Sequence, residues 1–394
     1  MIKFSMPKVP SICCLVLLSV APVFGQTQAG QPAKDAQPAQ SEMLSRDKAM
    51  GIIADSRRVV SSNGIDSLSV VPINGTVQWL SVRGRDKRNP ILLLLHGGPG
   101  SPTMPTDYTF QSPWEDYFTV VEWDQRGAGK TYTANDPKAV GPTMSVEQMT
   151  SDAEVVVRYL QKTYGKKKIF LMGHSWGSVL GVRLAQTHPE WFYAYVGVGQ
   201  VVNMRKSEHI GYEFAVAQAE EHHNELAEKQ LAALAPYPGD VGGLTIERTG
   251  TQRKWLMYYG GLTYGRTDFK YDANAWELSP DYSEKDLGSF DAGSLFSLEH
   301  LLPELETVDF DAVMTFHCPV FLFEGRHDYA ASHELAAQWF GKITAPKKEL
   351  VWFENSAHMV MQEEPGRFLY YLVRDVRPLA ASSGDVAPAN EVVY

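Results

Sequence analysis

Short apolar runs alternate with longer helical patterns along most of the chain. Residues 76–82 alternate between apolar and polar positions, which is typical of a half-buried strand. Continuous apolar runs with the length of buried strands follow at 91–95, 118–123, 169–172, 193–198, 320–323 and 350–353. Because strands that alternate with helices form mostly parallel sheets flanked by helices on both faces, this pattern predicts the α/β fold class.

One helix is marked by its first residues. Ser145 begins the sequence Ser-Val-Glu-Gln, in which Ser145 and Gln148 have the spacing of a capping box. The apolar residues that follow recur on one helical face: Met149, Ala153, Val156, Val157 and Leu160. We therefore expect an amphipathic helix that packs on the sheet.

The strand rhythm stops between residues 204 and 311. Residues 213–234 carry a long polar helical pattern, and an aromatic stretch follows at 255–269. So long a stretch without a strand pattern, between two sheet strands, indicates a helical insertion between late strands. We expect it to form a cap over the carboxyl edge of the sheet, where ligands of open α/β sheets bind.

The first residues have the features of a targeting segment. Lys3 and Lys8 precede an apolar run at 12–24, which is shorter than a membrane span and contains Pro22. We therefore expect export, to a periplasm or as a secreted protein, and no stable membrane insertion after cleavage. The predicted organisation is a signal peptide (1–25), a flexible linker (26–45), the first part of the core (46–203), the cap (204–311), the second part of the core (312–380) and a loose tail (381–394).

Composition narrows the class of partner. The chain of 394 residues has 36 Lys and Arg against 46 Asp and Glu, a net charge of −10, which argues against nucleic acid as a ligand. The expected partner is a small molecule or a short peptide, and no oligomeric state is predicted. Loss of the signal peptide would remove Cys13 and Cys14, so that Cys318 could form no intramolecular disulfide.

The motif with the clearest chemistry is Gly173-His174-Ser175-Trp176-Gly177. It lies between the predicted strand at 169–172 and a helical pattern at 179–187, which is the setting of a nucleophile elbow. Small residues beside the serine permit a sharp turn that directs its hydroxyl to the top of the sheet. The setting predicts Ser175 as a catalytic nucleophile, with an ordinary structural turn as the alternative.

A serine nucleophile needs a base and an acid that orients the base. Asp328 and His358 each follow a predicted strand late in the chain. The order Ser, Asp, His is that of enzymes with a nucleophile elbow. We therefore predict Ser175, Asp328 and His358 as the catalytic triad. His327 is a rival base, and Glu324 is a rival acid.

An oxyanion hole is predicted beside this triad. The glycine-rich segment His96-Gly97-Gly98-Pro99-Gly100 follows the predicted strand at 91–95. We expect backbone N–H groups of Gly98 and Trp176 to stabilise the oxyanion of the transition state. An ordinary Gly-Pro turn is the alternative, and His96 is interpreted as a structural, hydrogen-bonding histidine.

Neither a cofactor nor a metal ion is expected. The segment Arg126-Gly127-Ala128-Gly129-Lys130-Thr131 resembles a phosphate-binding loop, but Asp124 occupies the position of the required first glycine. His222 and His223 have no further His or Cys at ligand spacing and are interpreted as a solvated face.

Three segments form a set: His-Gly-Gly-Pro-Gly, Trp-Asp-Gln-Arg-Gly-Ala-Gly and Gly-His-Ser-Trp-Gly-Ser. Together they resemble the prolyl aminopeptidase (proline iminopeptidase) branch of the α/β-hydrolases. The resemblance covers about residues 70–202 and resumes at 320–368. It implies the α/β-hydrolase fold, an acyl-enzyme at Ser175, a helical cap that holds the substrate, and structural roles for Asp124 and Arg126.

The cap departs from this resemblance. Members of the family resemble one another in a tryptophan-rich cap helix that ends in Trp-Glu, whose acid helps to hold the free amine of the substrate. The nearest segment here, 255–261, has no Glu in that place. The candidate substrate-binding residues are therefore three aromatic residues and three acids: Trp255, Tyr258, Tyr259, Glu213, Glu220 and Glu247.

These observations predict an exported serine hydrolase that resembles a prolyl aminopeptidase and releases an N-terminal residue from small peptides. A carboxylesterase that acts on small apolar esters with the same triad is the first alternative. A non-catalytic ligand-binding member of the fold is a remote one. Chemistry with a carboxylate nucleophile is set aside because the elbow carries a serine.

Overall fold

The computed structural model of the protein describes residues 45–388, so the predicted signal peptide (1–25) lies outside the described residues. Its centre is a sheet whose strands follow the order β1-β2-β4-β3-β5-β6-β7-β8. The strands are β1 (Ile65–Ile73), β2 (Thr76–Gly84), β3 (Ile91–Leu95), β4 (Thr119–Asp124), β5 (Ile169–His174), β6 (Phe192–Val198), β7 (Val320–Gly325) and β8 (Lys348–Phe353). The β1-β2 and β2-β4 pairs are antiparallel, and the pairs from β4-β3 to β7-β8 are parallel.

Helices flank both faces of the sheet, and others form the insertion at residues 204–311. They are α1 (Arg46–Ser56), α2 (Gly129–Ala134), α3 (Pro137–Val140), α4 (Val146–Tyr164), α5 (Trp176–Thr187), α6 (Met204–Glu221), α7 (Glu225–Ala232), α8 (Ile246–Tyr258), α9 (Lys270–Glu277), α10 (Glu284–Gly288), α11 (Phe290–Leu305), α12 (His333–Lys342), α13 (Val360–Glu363), α14 (Pro365–Tyr371) and α15 (Pro378–Ala381). In β3, Leu93 and Leu95 pack into one apolar core, whereas Leu92 and Leu94 pack into another. A strand buried on both faces is apolar throughout, and the α/β prediction made from such runs is confirmed.

Each predicted strand is present, with ends that differ by a few residues. β1 is an additional strand that the apolar pattern did not predict. It lies at the sheet edge beside β2, where Leu68 and Val70 are 36% and 42% exposed. Because one face of this antiparallel edge meets solvent, β1 has no continuous apolar run.

The helices differ from prediction at two points. The polar pattern at 213–234 corresponds to two helices, because His223 has a φ of 52° and the Asn224 side chain caps α7 by accepting the Ala227 N–H. At the start of α4, Ser145 accepts the Gln148 N–H as expected. The Gln148 side chain does not complete a capping box and donates instead to Asp152.

Residues 204–311 contain α6 to α11 and no strand of the sheet. The strands β6 and β7 that flank this segment in sequence are adjacent in the sheet. Within residues 45–388, no helix is both long and apolar enough to cross a membrane.

The predicted loose tail is held to the core over the part that the structure describes, residues 381–388. Asp385 forms an ion pair with Lys166, whose side chain is 8% exposed, and accepts a hydrogen bond from the Tyr193 hydroxyl. The Ala387 N–H donates to the Asn89 side chain. Composition did not indicate these contacts because they depend on single polar residues.

A buried ion pair fixes the turn after β4. Arg126 donates to both carboxylate oxygens of Asp152, at 2.7 and 3.1 Å, and the two side chains are 2% and 0% exposed. Arg126 also donates to the Asn74 carbonyl and the Thr143 hydroxyl. These bonds agree with the structural role that the family resemblance implied for Arg126.

We expect Arg126→Met to lower the free energy of unfolding by about 3–5 kcal/mol, because Asp152 would remain charged and buried without its cation. Chemical denaturation measures this change. Arg85→Met is the matched control, since Arg85 pairs with Asp116 where the side chains are 37% and 53% exposed. Its effect should stay within about 1 kcal/mol. Equal losses in the two variants would contradict the role assigned to Arg126.

Candidate active site

Ser175 lies on a sharp turn between β5 and α5. Its backbone angles are φ 53° and ψ −120°, and its N–H donates to the Val198 carbonyl of the neighbouring strand end. The turn packs so closely on β3 that a Cβ at Gly177 would lie 1.9 Å from the Leu95 carbonyl oxygen. The strand, turn and helix therefore have the arrangement of a nucleophile elbow.

His358 and Asp328 are brought together from the loops after β8 and β7. His358 Nδ1 lies 2.7 Å from Asp328 Oδ2. The other oxygen of Asp328 accepts the N–H groups of Ala330 and Ala331, each at 2.9 Å. Because an ionised carboxylate can only accept, Nδ1 carries the proton and Nε2 of the neutral ring has a free lone pair. The ring thus has the tautomer of a general base.

The rival base and acid lie elsewhere. His327 stacks on Tyr264 with ring centroids 4.2 Å apart, outside the cavity that His358 lines. Glu324 is fully buried, and one of its oxygens accepts the Gln200 N–H. Burial raises the pKa of Glu324 well above its ordinary value, because it removes water from the charged form.

The two predicted oxyanion donors border the cavity that contains Ser175. Gly98 and Trp176 both line it. Gln125, after β4, connects the two segments, since its Oε1 accepts the Trp176 indole N–H at 2.9 Å and its Nε2 donates to the His96 carbonyl at 3.2 Å. All three side chains are at most 1% exposed, so this bridge is shielded from water.

His96 is a neutral structural histidine, in agreement with its interpretation from the sequence. Its Nε2 accepts the Gln125 N–H at 3.3 Å, and its Nδ1 lies 2.8 Å from the Gly97 carbonyl. Burial lowers the pKa of His96 to about 4. A neutral ring that accepts at Nε2 must donate at Nδ1, which fixes the start of the glycine-rich loop.

His174 supports His358, a role that the sequence analysis did not identify. Its Nε2 lies 2.9 Å from the His358 carbonyl oxygen, and the two rings are 4.8 Å apart. Burial, with the nearby His358 second, lowers the pKa of His174 to about 3. The neutral ring therefore holds the His358 backbone without adding a charge beside the base.

Gly199, directly after β6, leaves room for the Asp328 and His358 side chains. A Cβ at this position would lie 2.8 Å from His358 Nδ1 and 3.1 Å from Asp328 Oδ2, and its φ is 53°. The available sequence signal was a glycine at the end of a predicted strand, which does not by itself identify a close approach.

Ser175 and His358 line one cavity of about 260 Å³ between the sheet edge and the cap. Within residues 45–388 no hydrogen bond joins the Ser175 hydroxyl to His358. Catalytic hydrogen bonds are often long in structures without substrate and shorten only when substrate binds. The walls are largely apolar and include Val201, Met204, Leu262, Phe269, Trp276 and Leu305. Arg253 of α8 and Asp272 of α9 add one charge of each sign.

The structure does not bring the predicted substrate-binding residues to this cavity. Glu213, Glu220 and Glu247 are exposed. Trp255 is buried inside the cap and donates to Gln230. Tyr258 and Tyr259 border a separate surface groove. Trp255, Tyr258 and Tyr259 belong to the segment that lies nearest to the cap helix of the family, but none of the six side chains lines the cavity of Ser175.

The acid that lines the cavity is Asp272, which the sequence analysis missed. It lies on α9 between Phe269 and Trp276, at helical spacings that place all three on the cavity side. An acid on an aromatic helix face was the signal that could have identified it. Among the described residues, no group of three or more His, Cys, Asp and Glu side chains is arranged to hold a metal ion.

Residues 90–365 match the family described as the alpha/beta hydrolase fold. The chain therefore belongs to the α/β-hydrolase family, and the predicted fold is confirmed. This chain is 31% identical over 325 residues to the Bacillus subtilis (strain 168) protein named Probable aminopeptidase YbaC. The match covers 81% of this chain and 99% of that protein.

Two further relatives are proline iminopeptidases by name. A probable proline iminopeptidase of Leptolyngbya boryana is 25% identical over 291 residues, covering 71% of this chain and 84% of that protein. The crystal structure of proline iminopeptidase from Mycobacterium smegmatis superposes with a TM-score of 0.59 at 18% identity, covering 80% of this chain and 100% of that one. The resemblance to prolyl aminopeptidases is thus confirmed.

We expect Gly199→Ala to slow labelling of Ser175 by a fluorophosphonate about tenfold or more, because the added Cβ displaces His358 from Asp328. Gly165→Ala is the matched control. Gly165 has a similar φ of 66° with nothing within 4 Å of the added atom, so the labelling rate should stay within about twofold. Equal rates in the two variants would show that the space at Gly199 does not matter.

The buried His174 predicts a pH dependence of stability. Its pKa is lowered from 6.5 to about 3 in the folded state, so between these values the unfolded state binds a proton that the folded state does not. Stability therefore falls as pH falls, by about 1.4 kcal/mol per pH unit from this group. Denaturation at pH 6, 5 and 4 measures how the free energy of unfolding changes with pH. In His174→Gln this slope should be smaller than in the wild type by that amount. An unchanged slope would contradict the buried neutral state, and the exposed His300→Gln controls for loss of one imidazole.

Proposed function

We propose that the protein is a serine aminopeptidase that releases an N-terminal residue, proline or a similar small residue, from short peptides. The observation that carries this proposal is Asp272, a carboxylate that lines the same cavity as Ser175 and His358. The relatives named as aminopeptidases support it.

The reaction follows from the positions of the side chains. His358 Nε2 takes the proton of the Ser175 hydroxyl while Oγ bonds to the substrate carbonyl carbon. Backbone N–H groups of Gly98 and Trp176 stabilise the oxyanion. The C–N bond then breaks, and His358 gives its proton to the leaving amine. Water, deprotonated by His358, hydrolyses the acyl-enzyme and restores the Ser175 hydroxyl.

Asp272 has the properties required to hold a substrate ammonium group. It is 4% exposed, and its ion-pair partner among the described residues is Arg266 at 3.5 Å. Burial raises the pKa of Asp272, and the nearby Arg266 opposes this effect only in part. A bound ammonium would supply the missing charge. In this proposal Asp272 takes the role that the sequence analysis gave to Glu213, Glu220 or Glu247.

The apolar walls favour a small hydrophobic acyl group such as the proline ring. Phe269 and Trp276 flank Asp272 on α9, so that ring and amine could be held by one helix face. The same walls would suit the acyl group of a small ester, which makes a carboxylesterase the second candidate. The two candidates differ in whether activity needs a free amine.

We expect the protein to hydrolyse a proline arylamide and to leave its N-acetylated twin intact, because the acetylated nitrogen carries no charge for Asp272. Asp272→Asn should raise KM for the arylamide about tenfold or more at similar kcat. Steady-state kinetics with both twins measure these effects.

Asp268→Asn is the matched control, since the Asp268 side chain is 45% exposed and pairs with Lys270 outside the cavity. Ser175→Ala provides the blank and should lose nearly all activity. Equal hydrolysis of the two twins would exclude the aminopeptidase. Hydrolysis of esters but of neither arylamide would support the second candidate, the carboxylesterase.

A further inference from the structure

Arg253 is the second charged side chain from the cap in the active-site cavity, and the proposed function gives it no role. It lies on α8 and lines the cavity with Ser175 and Asp272. A cation placed against largely apolar walls is costly unless it is compensated. Its partners therefore indicate whether it serves only the fold or also a ligand.

Glu208 holds Arg253 from behind. The Glu208 carboxylate is fully buried in the cap and accepts from both terminal nitrogens of Arg253, with Nη1 at 3.2 Å. It also accepts the Tyr237 hydroxyl at 2.6 Å. The Arg253 side chain is 24% exposed and lines the cavity, so the pair has a fully buried acidic end and a partly accessible basic end.

One edge of the guanidinium remains open. Nη1 uses its two hydrogens on Glu208 and on the Gln252 side chain, and Nη2 uses one on Glu208. Within residues 45–388, no acceptor is recorded for Nε–H or for the second hydrogen of Nη2. These two parallel donors form the edge with which arginine binds a carboxylate through paired hydrogen bonds.

Arg253 lies on a helix that packs beside the loop of Asp328. The neighbouring Gln252 and the Tyr329 carbonyl both approach Gly211, so α8 packs beside the loop that carries Asp328. Burial would lower the pKa of Arg253, but the carboxylates of Glu208 and, more weakly, Asp328 raise it. Asp328 orients His358, which protonates the leaving amine in the proposed reaction.

We propose that Arg253 binds the free α-carboxylate of the leaving amino acid, so that the preferred substrates are dipeptides with both termini free. This inference rests on the proposed function. Asp272 would hold the ammonium group and Arg253 the carboxylate, with the peptide bond between them at Ser175. The chemistry of the bond that breaks is unchanged, and Arg253 determines specificity.

The test compares kcat/KM for the dipeptide Pro-Ala with that for its C-terminal amide. The wild type should favour the free acid about tenfold or more, because the amide cannot accept two charge-assisted hydrogen bonds. Arg253→Met should remove this preference mainly through the KM for the acid. Arg253→Met combined with Glu208→Gln should do the same without leaving a buried, unpaired carboxylate.

Arg205→Met is the matched control. Arg205 also pairs with a buried cap carboxylate, Glu306, and the side chains are 28% and 2% exposed, but Arg205 does not line the cavity. It should keep the preference for the acid. Calorimetric binding of the two peptides to Ser175→Ala provides a readout that does not depend on turnover, with the same expected preference.

The outcomes separate this inference from the proposed function. If the wild type cleaves acid and amide equally, the inference is wrong while the aminopeptidase stands. If neither peptide is cleaved although esters are, both are wrong. A preference that survives in the double variant would also overturn the role of Arg253. Should Arg253→Met not fold, the double variant and Arg253→Lys, which cannot pair with two oxygens, decide the question.

Discussion

The hydrogen bond between Asp328 and His358 is the contact on which the rest of the site depends. Asp328 is fully buried, and its second oxygen is held by two backbone N–H groups of its own loop. An ionised carboxylate in this position is stable only because those donors and His358 replace water. Gly199 has no side chain that would displace the His358 imidazole, and the His174 ring holds the His358 carbonyl. Together they keep His358 within hydrogen-bond distance of Asp328. Residues at the ends of four strands, β5 to β8, therefore maintain one hydrogen bond.

The opposite side of the cavity is built from neutral groups. Gln125 forms hydrogen bonds with His96 and with the Trp176 indole, so the segments of the two predicted oxyanion donors, Gly98 and Trp176, are joined without a fixed charge. A formal charge there would stabilise the ground state as well as the transition state. Preorganised dipoles act mainly on the charge that develops during the reaction. Burial lowers the pKa of His96 and of His174, so the two rings that support this site are also neutral.

The sequence predicted the strands of the sheet and placed Ser175, Asp328 and His358 at strand ends, because each of these features leaves a local signal. A strand buried on both faces is an uninterrupted apolar run, and Ser175, Asp328 and His358 each follow such a run. The cap has no equivalent signal, since which helix face meets the cavity depends on how α6, α8 and α9 pack on one another. Trp255, in the segment nearest to the cap helix of the family, thus lies in the cap interior, whereas Asp272 matched no motif and lines the cavity. β1 was missed because two of its apolar residues, Leu68 and Val70, lie on the exposed face of an edge strand.

The two cap charges are compensated unequally, and this asymmetry has a consequence for recognition. Arg253 has a fully buried carboxylate against two of its nitrogens, so it is nearly neutralised before any ligand arrives. Asp272 has one guanidinium at 3.5 Å, and its raised pKa reflects the desolvation that this contact leaves uncompensated. A ligand ammonium relieves that deficit, whereas a ligand carboxylate adds hydrogen bonds at the two unpaired donors of a cation whose charge is already paired with Glu208. The amine end of a substrate should therefore contribute more to recognition in this cavity than the carboxylate end.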